Sequence, residues 1–172
     1  ALNRLAAWIL SSGSIDDRWI PSFVIDDQRA AEQLRAYARS ANVRLQNIRD
    51  GDDGNRATEL VPKEDGPVLG RVLYTWLDIK GDKSKDTTSF PTYLRDAPDH
   101  IARSFAQVYV QQRGVYRDDR GEFVQIAACR NESFFRALKS FLQRVVESEE
   151  NIRGEEWPLR IYGDAIETLR QY

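Results

Sequence analysis

The sequence predicts an α+β fold in which two similar halves each combine an antiparallel sheet with helices. Three observations support this prediction: helical and strand-like apolar patterns alternate along the chain, 41% of the 172 residues are hydrophobic, and the order of patterns restarts at Pro98. Gly13 and Gly114 each end a predicted helix, and an Asp-Asp-Arg triplet follows each glycine. We interpret this correspondence as an internal duplication.

In the first half, amphipathic helices flank alternating strands. Leu2, Leu5 and Ile9 recur at helical spacing and predict a helix that stops at Gly13. A strand is predicted next, at 19–25, followed by a helix that Asp26 or Asp27 caps. The residues on one face of this helix are Ala31, Leu34, Ala38 and Ala41. Two strands follow at 43–49 and 57–61, joined by a turn at 50–55, and Pro67 then opens a third helix.

A polar segment at 80–89 separates the halves. From it we predict a first repeat over 1–79, a linker over 80–97 and a second repeat over 98–172. In the second repeat, Pro98 opens a helix, and a strand is predicted at 122–129. The next helix has an apolar face formed by Phe134, Phe135, Leu138, Phe141 and Leu142. A strand at 157–162 precedes the last helix, which begins with a capping box of Asp164 and Glu167.

Composition excludes several classes of function. Cys129 is the only cysteine and His100 the only histidine, so an intrachain disulfide and a Cys/His zinc site lack the necessary residues. The net charge of −2 is not the strongly basic balance typical of nucleic-acid-binding proteins. No apolar run approaches the roughly 20 residues that span a bilayer, and no signal peptide opens the chain. We therefore expect an intracellular protein, and an organelle location if the Met-less start at Ala1 reflects processing.

The first helix contains a recognisable motif. Residues 5–13 (LAAWILSSG), followed by Ser14 and Ile15, resemble the LAGLIDADG motif. The agreeing positions are Leu5, Ala6, Ile9 and Gly13. A second copy at 106–114 agrees only at Gly114, and segment 81–93 resembles the connector of single-chain members. The chain is thus similar to the single-chain, two-repeat form of the LAGLIDADG homing endonuclease family, with degenerate motifs. The resemblance implies a pseudo-two-fold fold with two antiparallel sheets backed by helices.

The resemblance also implies that the two motif helices pack side by side at the centre, where small residues let the backbones approach closely. Ala6 and Ala7 meet this requirement in the first helix, whereas Val108 is larger than the second helix should have at the crossing. Gly13 and Gly114, at the helix ends, belong to the same set of packing residues.

In active members of the family, an acidic residue just before each terminal glycine binds the cations that support phosphodiester cleavage. Ser12 and Arg113 occupy these positions here, so we expect no catalytic residue, no metal and no cofactor. One alternative is that acids at 16–17 and 118–119 replace the lost ligands, although aspartates in such turns are more often solvated.

The resemblance further implies that nucleic acid binds in a groove formed by the sheet faces that are turned away from the helices. Arg and Gln side chains on such faces contact phosphates or base edges. The candidate residues are Arg18, Arg44, Gln46 and Arg49 in the first half and Arg117, Arg120 and Arg160 in the second. The short stretch between Gly13 and the strand at 19–25 predicts a short hairpin and a small footprint.

Three functions remain open from the sequence. The first is a catalytically inactive module that binds DNA or structured RNA, or forms part of a nucleoprotein complex; inactive relatives serve in RNA splicing or as DNA-binding regulators. The second is a protein-interaction scaffold that has lost nucleic-acid binding, which the slightly acidic net charge favours. The third is a divergent Mg²⁺-dependent DNA endonuclease. The expected partners are nucleic acid and proteins of a larger complex, without a membrane.

Overall fold

In the computed structural model the chain forms two compact units, Ala1–Lys83 and Ser84–Tyr172. The structure describes residues 1–49, 57–78, 88–118, 121–127 and 131–170. The predicted turn at 50–55, most of the segment 80–89, and Cys129 lie outside the described residues. Within each unit the elements follow the order α-β-β-α-β-β-α, so the predicted α+β class with two antiparallel sheets is confirmed.

The first unit packs three helices on one four-stranded sheet, which we call sheet A. Its elements are α1 (Leu2–Ser12), β1 (Gly13–Ile15), β2 (Pro21–Ile25), α2 (Gln28–Ser40), β3 (Leu45–Arg49), β4 (Thr58–Pro62) and α3 (Gly66–Leu77). The strand order is β1-β2-β4-β3, and all pairs are antiparallel. Asp27 caps α2 as predicted, since its carboxylate accepts a hydrogen bond from the Ala30 amide at 2.7 Å.

The core of the first unit lies between sheet A and its helices. Leu5 and Ile9 of α1, Phe23 and Leu60 of the sheet and Leu73 of α3 are all fully buried. These residues sit at helical spacing on the helices and at alternate positions on the strands, which is the pattern that burial of one face requires. The core therefore leaves the other face of sheet A outside the helical layer.

The second unit repeats this arrangement with sheet B. Its elements are a 3-10 helix (Thr92–Leu94), α4 (Asp99–Arg113), β5 (Gly114–Arg117), β6 (Phe123–Ile126), α5 (Glu132–Val146), β7 (Ile152–Arg153), β8 (Leu159–Tyr162) and α6 (Asp164–Leu169). The strand order β5-β6-β8-β7 has the same pattern as sheet A. Phe105, Phe134 and Phe141 form the centre of an aromatic core. No helix in the described ranges is long and apolar enough to cross a bilayer.

Several predicted strand boundaries were wrong. The strand expected at 19–25 begins at Pro21, the one at 122–129 covers Phe123–Ile126, and the one at 157–162 begins at Leu159. The structure also contains three short strands that the sequence did not predict, namely β1, β5 and β7. Each has two to four residues, too few for an alternating pattern to be recognised.

Two local predictions about helices were also wrong. Gly163, at φ 55°, is the N-cap of α6, and Asp164 is already helical, so no capping box forms. On α2, Leu34 and Ala38 are buried as predicted, but Ala30 is buried in place of Ala31, and Ala41 lies beyond the end of the helix. Neither difference changes the element order.

Candidate nucleic-acid interface

The face of sheet B turned away from the helices presents two rows of side chains, set by the strand register. The first row runs across β5, β6 and β8 and consists of Arg117, Phe123 and Tyr162. The second row runs across all four strands and consists of Val115, Gln125, Arg160 and Arg153. We call these seven residues the open face of sheet B. The alternate residues Ile126, Leu159 and Ile161 are fully buried on the helical side, which fixes the direction of the open face.

Positive charge dominates the open face of sheet B. Arg117, Arg153 and Arg160 are exposed, and none of the seven strand positions is acidic. The side chains of Arg117 and Arg160 have no hydrogen bond or ion pair with another side chain in the described part of the chain, so both guanidinium groups are available to a ligand. Arg153 is held in place, because its Nε donates to the Glu150 carbonyl at 2.7 Å.

Two aromatic rings occupy the middle of the open face. Phe123 and Tyr162 are opposite each other on the central strands β6 and β8, with ring centroids 5.5 Å apart and planes tilted by 33°. Both side chains are half-buried. The Arg153 guanidinium lies 5.0 Å from the centroid of the Tyr162 ring, within the range of a cation–π contact. A cation therefore flanks each end of the aromatic pair, Arg117 at one end and Arg153 at the other.

The corresponding face of sheet A has a different character. Its strand positions, defined by the same register argument, are Ser14, Ser22, Val24, Gln46, Glu59 and Val61. The hydroxyls of Ser14 and Ser22 are 3.0 Å apart, and Glu59 is an acid within the row. Gln46, one of the predicted residues, is exposed on this face. Arg49 aligns with Glu59 across a register shift, and its side chain lies outside the described residues.

Arg18 and Arg44 border two different clefts of the first unit. Arg18 and Gln46 line a cleft of about 510 Å³ on the open side of sheet A. Arg44 is exposed and precedes β3, where it borders a cleft of about 380 Å³ together with Val68 of α3. The structure therefore groups Arg18 with Gln46 but not with Arg44, while Arg117 and Arg160 share the open face of sheet B. Arg120 lies outside the described residues.

The turn after β1 is organised by Asp16. Its Oδ1 accepts hydrogen bonds from the amides of Arg18 and Ile20 at 2.9 and 2.8 Å, and its Oδ2 forms an ion pair with the Arg18 guanidinium at 3.4 Å. Partial burial raises the pKa of Asp16, but the hydrogen bonds from Ile20 and Arg18 outweigh it and hold the pKa below its usual value. Asp16 thus shapes its own hairpin, as is typical of turn aspartates.

Ser12 and Arg113 end the two helices α1 and α4. The Ser12 hydroxyl donates to the Val24 carbonyl at 3.5 Å. Arg113 is half-buried, and its Nε is buried without a hydrogen-bond partner in the part of the chain that the structure describes. Across the described ranges, no three His, Cys, Asp or Glu side chains are grouped so as to hold a metal ion.

Gly13 and Gly114 allow each helix to end against its own sheet. A Cβ on Gly13 would be 2.5 Å from the Ser22 carbonyl oxygen, and one on Gly114 would be 2.5 Å from Cγ1 of Val124. Close approach of the following strand therefore requires glycine at both positions. Ala6, Ala7 and Val108, expected at a helix crossing, are all buried, and their role at that crossing stays a prediction.

Comparison with solved structures supports the fold. The chain is similar to the N-terminal LAGLIDADG domain of DUF199/WhiA, with a TM-score of 0.58 and 14% sequence identity over 98% of this chain and 79% of that one. At this identity the likeness concerns the fold alone, and the protein has a LAGLIDADG-like fold. No family model and no curated protein matches the sequence.

Phe123, Tyr162 and Arg153 belong to this candidate face but are not among the residues predicted from the sequence. Alternation along β6 and β8 was a usable signal for the two rings, because each lies two positions from a polar residue, Gln125 or Arg160, on the same face. Arg153 gave no such signal, since its strand has only two residues.

Proposed function

We propose that this protein is a nucleic-acid-binding module with a LAGLIDADG-like fold and without endonuclease activity. The observation that carries the proposal is the open face of sheet B, where Arg117, Arg153 and Arg160 surround two aromatic rings and no strand position is acidic. Arginine on an open sheet face binds phosphates, and cations concentrated on one face attract a polyanion even when the net charge of the chain is slightly negative.

The proposed loss of cleavage rests on the ends of α1 and α4. Active members of the LAGLIDADG family, which the sequence resembles, have acids at the positions of Ser12 and Arg113. Serine and arginine are poor ligands for Mg²⁺, because this cation prefers carboxylate oxygens. Asp16 is engaged by its own turn through Arg18 and Ile20, which disfavours it as a replacement ligand. Among the described residues, no group of three or more His, Cys, Asp or Glu side chains is placed to hold a metal ion.

Salt-dependent binding tests the proposal. The full chain is titrated into labelled duplex DNA, structured RNA and single-stranded oligonucleotides at several salt concentrations, with fluorescence anisotropy as the readout. Each phosphate that the protein neutralises adds about 0.7–0.9 to the slope of log K against log salt. Replacing Arg117, Arg153 and Arg160 by alanine together should weaken binding and flatten the slope by about two to three.

A matched variant separates a local effect from a change in net charge. Arg29, Arg95 and Arg103 are exposed and lie outside the strands, and their replacement by alanine removes the same charge. We expect this variant to retain most of the wild-type slope. If the wild-type chain binds none of the three nucleic acids at low salt, the proposal is wrong and the protein-interaction scaffold becomes the leading function.

A further inference from the structure

We propose that the open face of sheet B binds unpaired nucleotides, with bases stacked on Phe123 and Tyr162 and phosphates held by the flanking arginines. This inference rests on the proposed nucleic-acid binding and specifies the class of ligand as single-stranded nucleic acid. It depends on the position of the two rings at the centre of the sheet rather than on charge alone.

The rings suit unpaired bases better than a duplex. Inside a duplex each base face is covered by its neighbours, and only base edges reach a protein in the grooves. A single strand can turn its bases out and stack them on aromatic side chains, which is how open antiparallel sheets with rings on adjacent strands bind RNA. Phe123 and Tyr162 are such a pair, on the adjacent central strands β6 and β8.

The order of side chains across the sheet gives the site a direction and a length. Arg117, Phe123 and Tyr162 follow one another across β5, β6 and β8, and the Arg153 guanidinium from β7 lies over the Tyr162 ring. Three strand spacings of about 4.8 Å separate the backbones of β5 and β7 by roughly 14 Å. Two stacked bases fit on the rings between these strands, with an arginine near each end of the ring pair.

The second row provides further contacts to the same strand. Gln125 is half-buried beside Phe123 on β6, and its amide can both donate to and accept from a base edge. Arg160 is exposed opposite Gln125, within reach of the next phosphate. Because stacking accepts every base, a single glutamine leaves only modest sequence preference.

Charge complementarity also selects the ligand over a protein partner. The open face of sheet B has three exposed arginines and no acid among its strand positions, whereas the face of sheet A includes Glu59. An acidic peptide would satisfy the arginines but would leave the two rings without flat partners. A polyanion that itself provides flat aromatic groups satisfies both.

The test compares two double variants on matched ligands. The full chain is titrated with a single-stranded oligonucleotide, with the duplex of the same sequence and with an abasic single strand. Base–aromatic stacking contributes about 5- to 150-fold in affinity per ring. Phe123→Ala combined with Tyr162→Ala should weaken single-strand binding by at least about tenfold and change duplex and abasic binding by less than about threefold. Phe123→Tyr with Tyr162→Phe should retain wild-type binding.

Tyr116→Ala is the matched control, because Tyr116 is an exposed aromatic of the same sheet whose register places it in a row on the opposite face. Its loss should leave single-strand affinity unchanged, and circular dichroism verifies that each variant is folded. Duplex bound as tightly as single strand overturns the inference and leaves the proposed function intact. Binding to no nucleic acid overturns both, and a polyglutamate peptide that competes as well as the oligonucleotide overturns the stacking site.

Discussion

Replacing Gly70 by alanine tests how α3 packs on the β1–β2 hairpin. A Cβ at this position would lie 1.8 Å from the Trp19 carbonyl oxygen and 2.7 Å from its carbonyl carbon. The Trp19 backbone cannot easily move away, because it is held at φ 68° and its ring packs edge-on against Tyr74 at 5.1 Å and below the Arg71 guanidinium at 5.6 Å. The added methyl group therefore has to push the helix and the hairpin apart.

The expected cost follows from two opposing effects. Overpacking costs about 1–3 kcal/mol, and a clash with backbone atoms places Gly70→Ala near the upper end of that range. Alanine in a helix interior stabilises the helix by about 1 kcal/mol relative to glycine, which offsets part of this cost. The net loss of about 2 kcal/mol should lower the melting temperature by roughly 4–8 °C in a chain of this size, measured by thermal circular dichroism.

Gly66→Ala in the same helix is the control. A Cβ there would meet nothing closer than Ile20 Cγ2 at 3.6 Å, which is ordinary van der Waals contact. This variant should melt within about 2 °C of the wild type or slightly above it. If Gly70→Ala and Gly66→Ala have the same melting temperature, α3 does not contact the hairpin as described.

Catalysis, core packing and pH provide three further predictions. The chain should not cleave plasmid, duplex or RNA with Mg²⁺ or Mn²⁺, and nicking that disappears in Asp16→Ala or Asp118→Ala would show instead that these acids form an active site. Ala7→Leu should cost about 1–3 kcal/mol in denaturant unfolding, because Ala7 is fully buried, and an unchanged midpoint would contradict tight packing there. The lowered pKa of Asp16 stabilises the fold above the usual carboxyl pKa of 3.8, and this stabilisation is lost as pH falls through the folded-state pKa. Asp16→Asn should therefore melt below the wild type at about pH 7, and the difference in melting temperature should shrink as the pH falls below 3.8. A difference that does not change with pH would refute this coupling.

The sequence predicted the elements whose signal is local. Helices α1, α2 and α5 have apolar residues at helical spacing over 11 to 15 positions, which is long enough for the period to be unambiguous. Strands β1 and β7 have three and two residues, and they are strands only because a neighbour pairs with them. Such pairing depends on partner residues six to ten positions away, so the two or three residues of the strand itself give no recognisable pattern.

At the candidate site too, some residues could be predicted from the local pattern, whereas the positions of others depend on strand pairing. Arg160 was predicted from its neighbours, because alternation beside the buried Leu159 and Ile161 places it on the open face. Arg117 was predicted only as a turn residue, and the pairing of β5 with β6 places it on the open face. The meeting of Phe123 with Tyr162 depends on the register between β6 and β8, and the position of Arg153 depends on a strand that pairing alone defines. Arg44 was predicted on the same grounds as Arg160, but it borders a cleft beside α3.

Photo-cross-linking determines which residues of the protein contact bound nucleic acid, and therefore whether the open face of sheet B is the interface. A single-stranded oligonucleotide carrying 5-iodouracil is irradiated with the full chain, and adducts are located by mass spectrometry of the digested protein. We expect adducts within residues 114–126 and 152–162, centred on Phe123 and Tyr162. Adducts confined to the helices, or to the peptides of sheet A, would contradict this expectation.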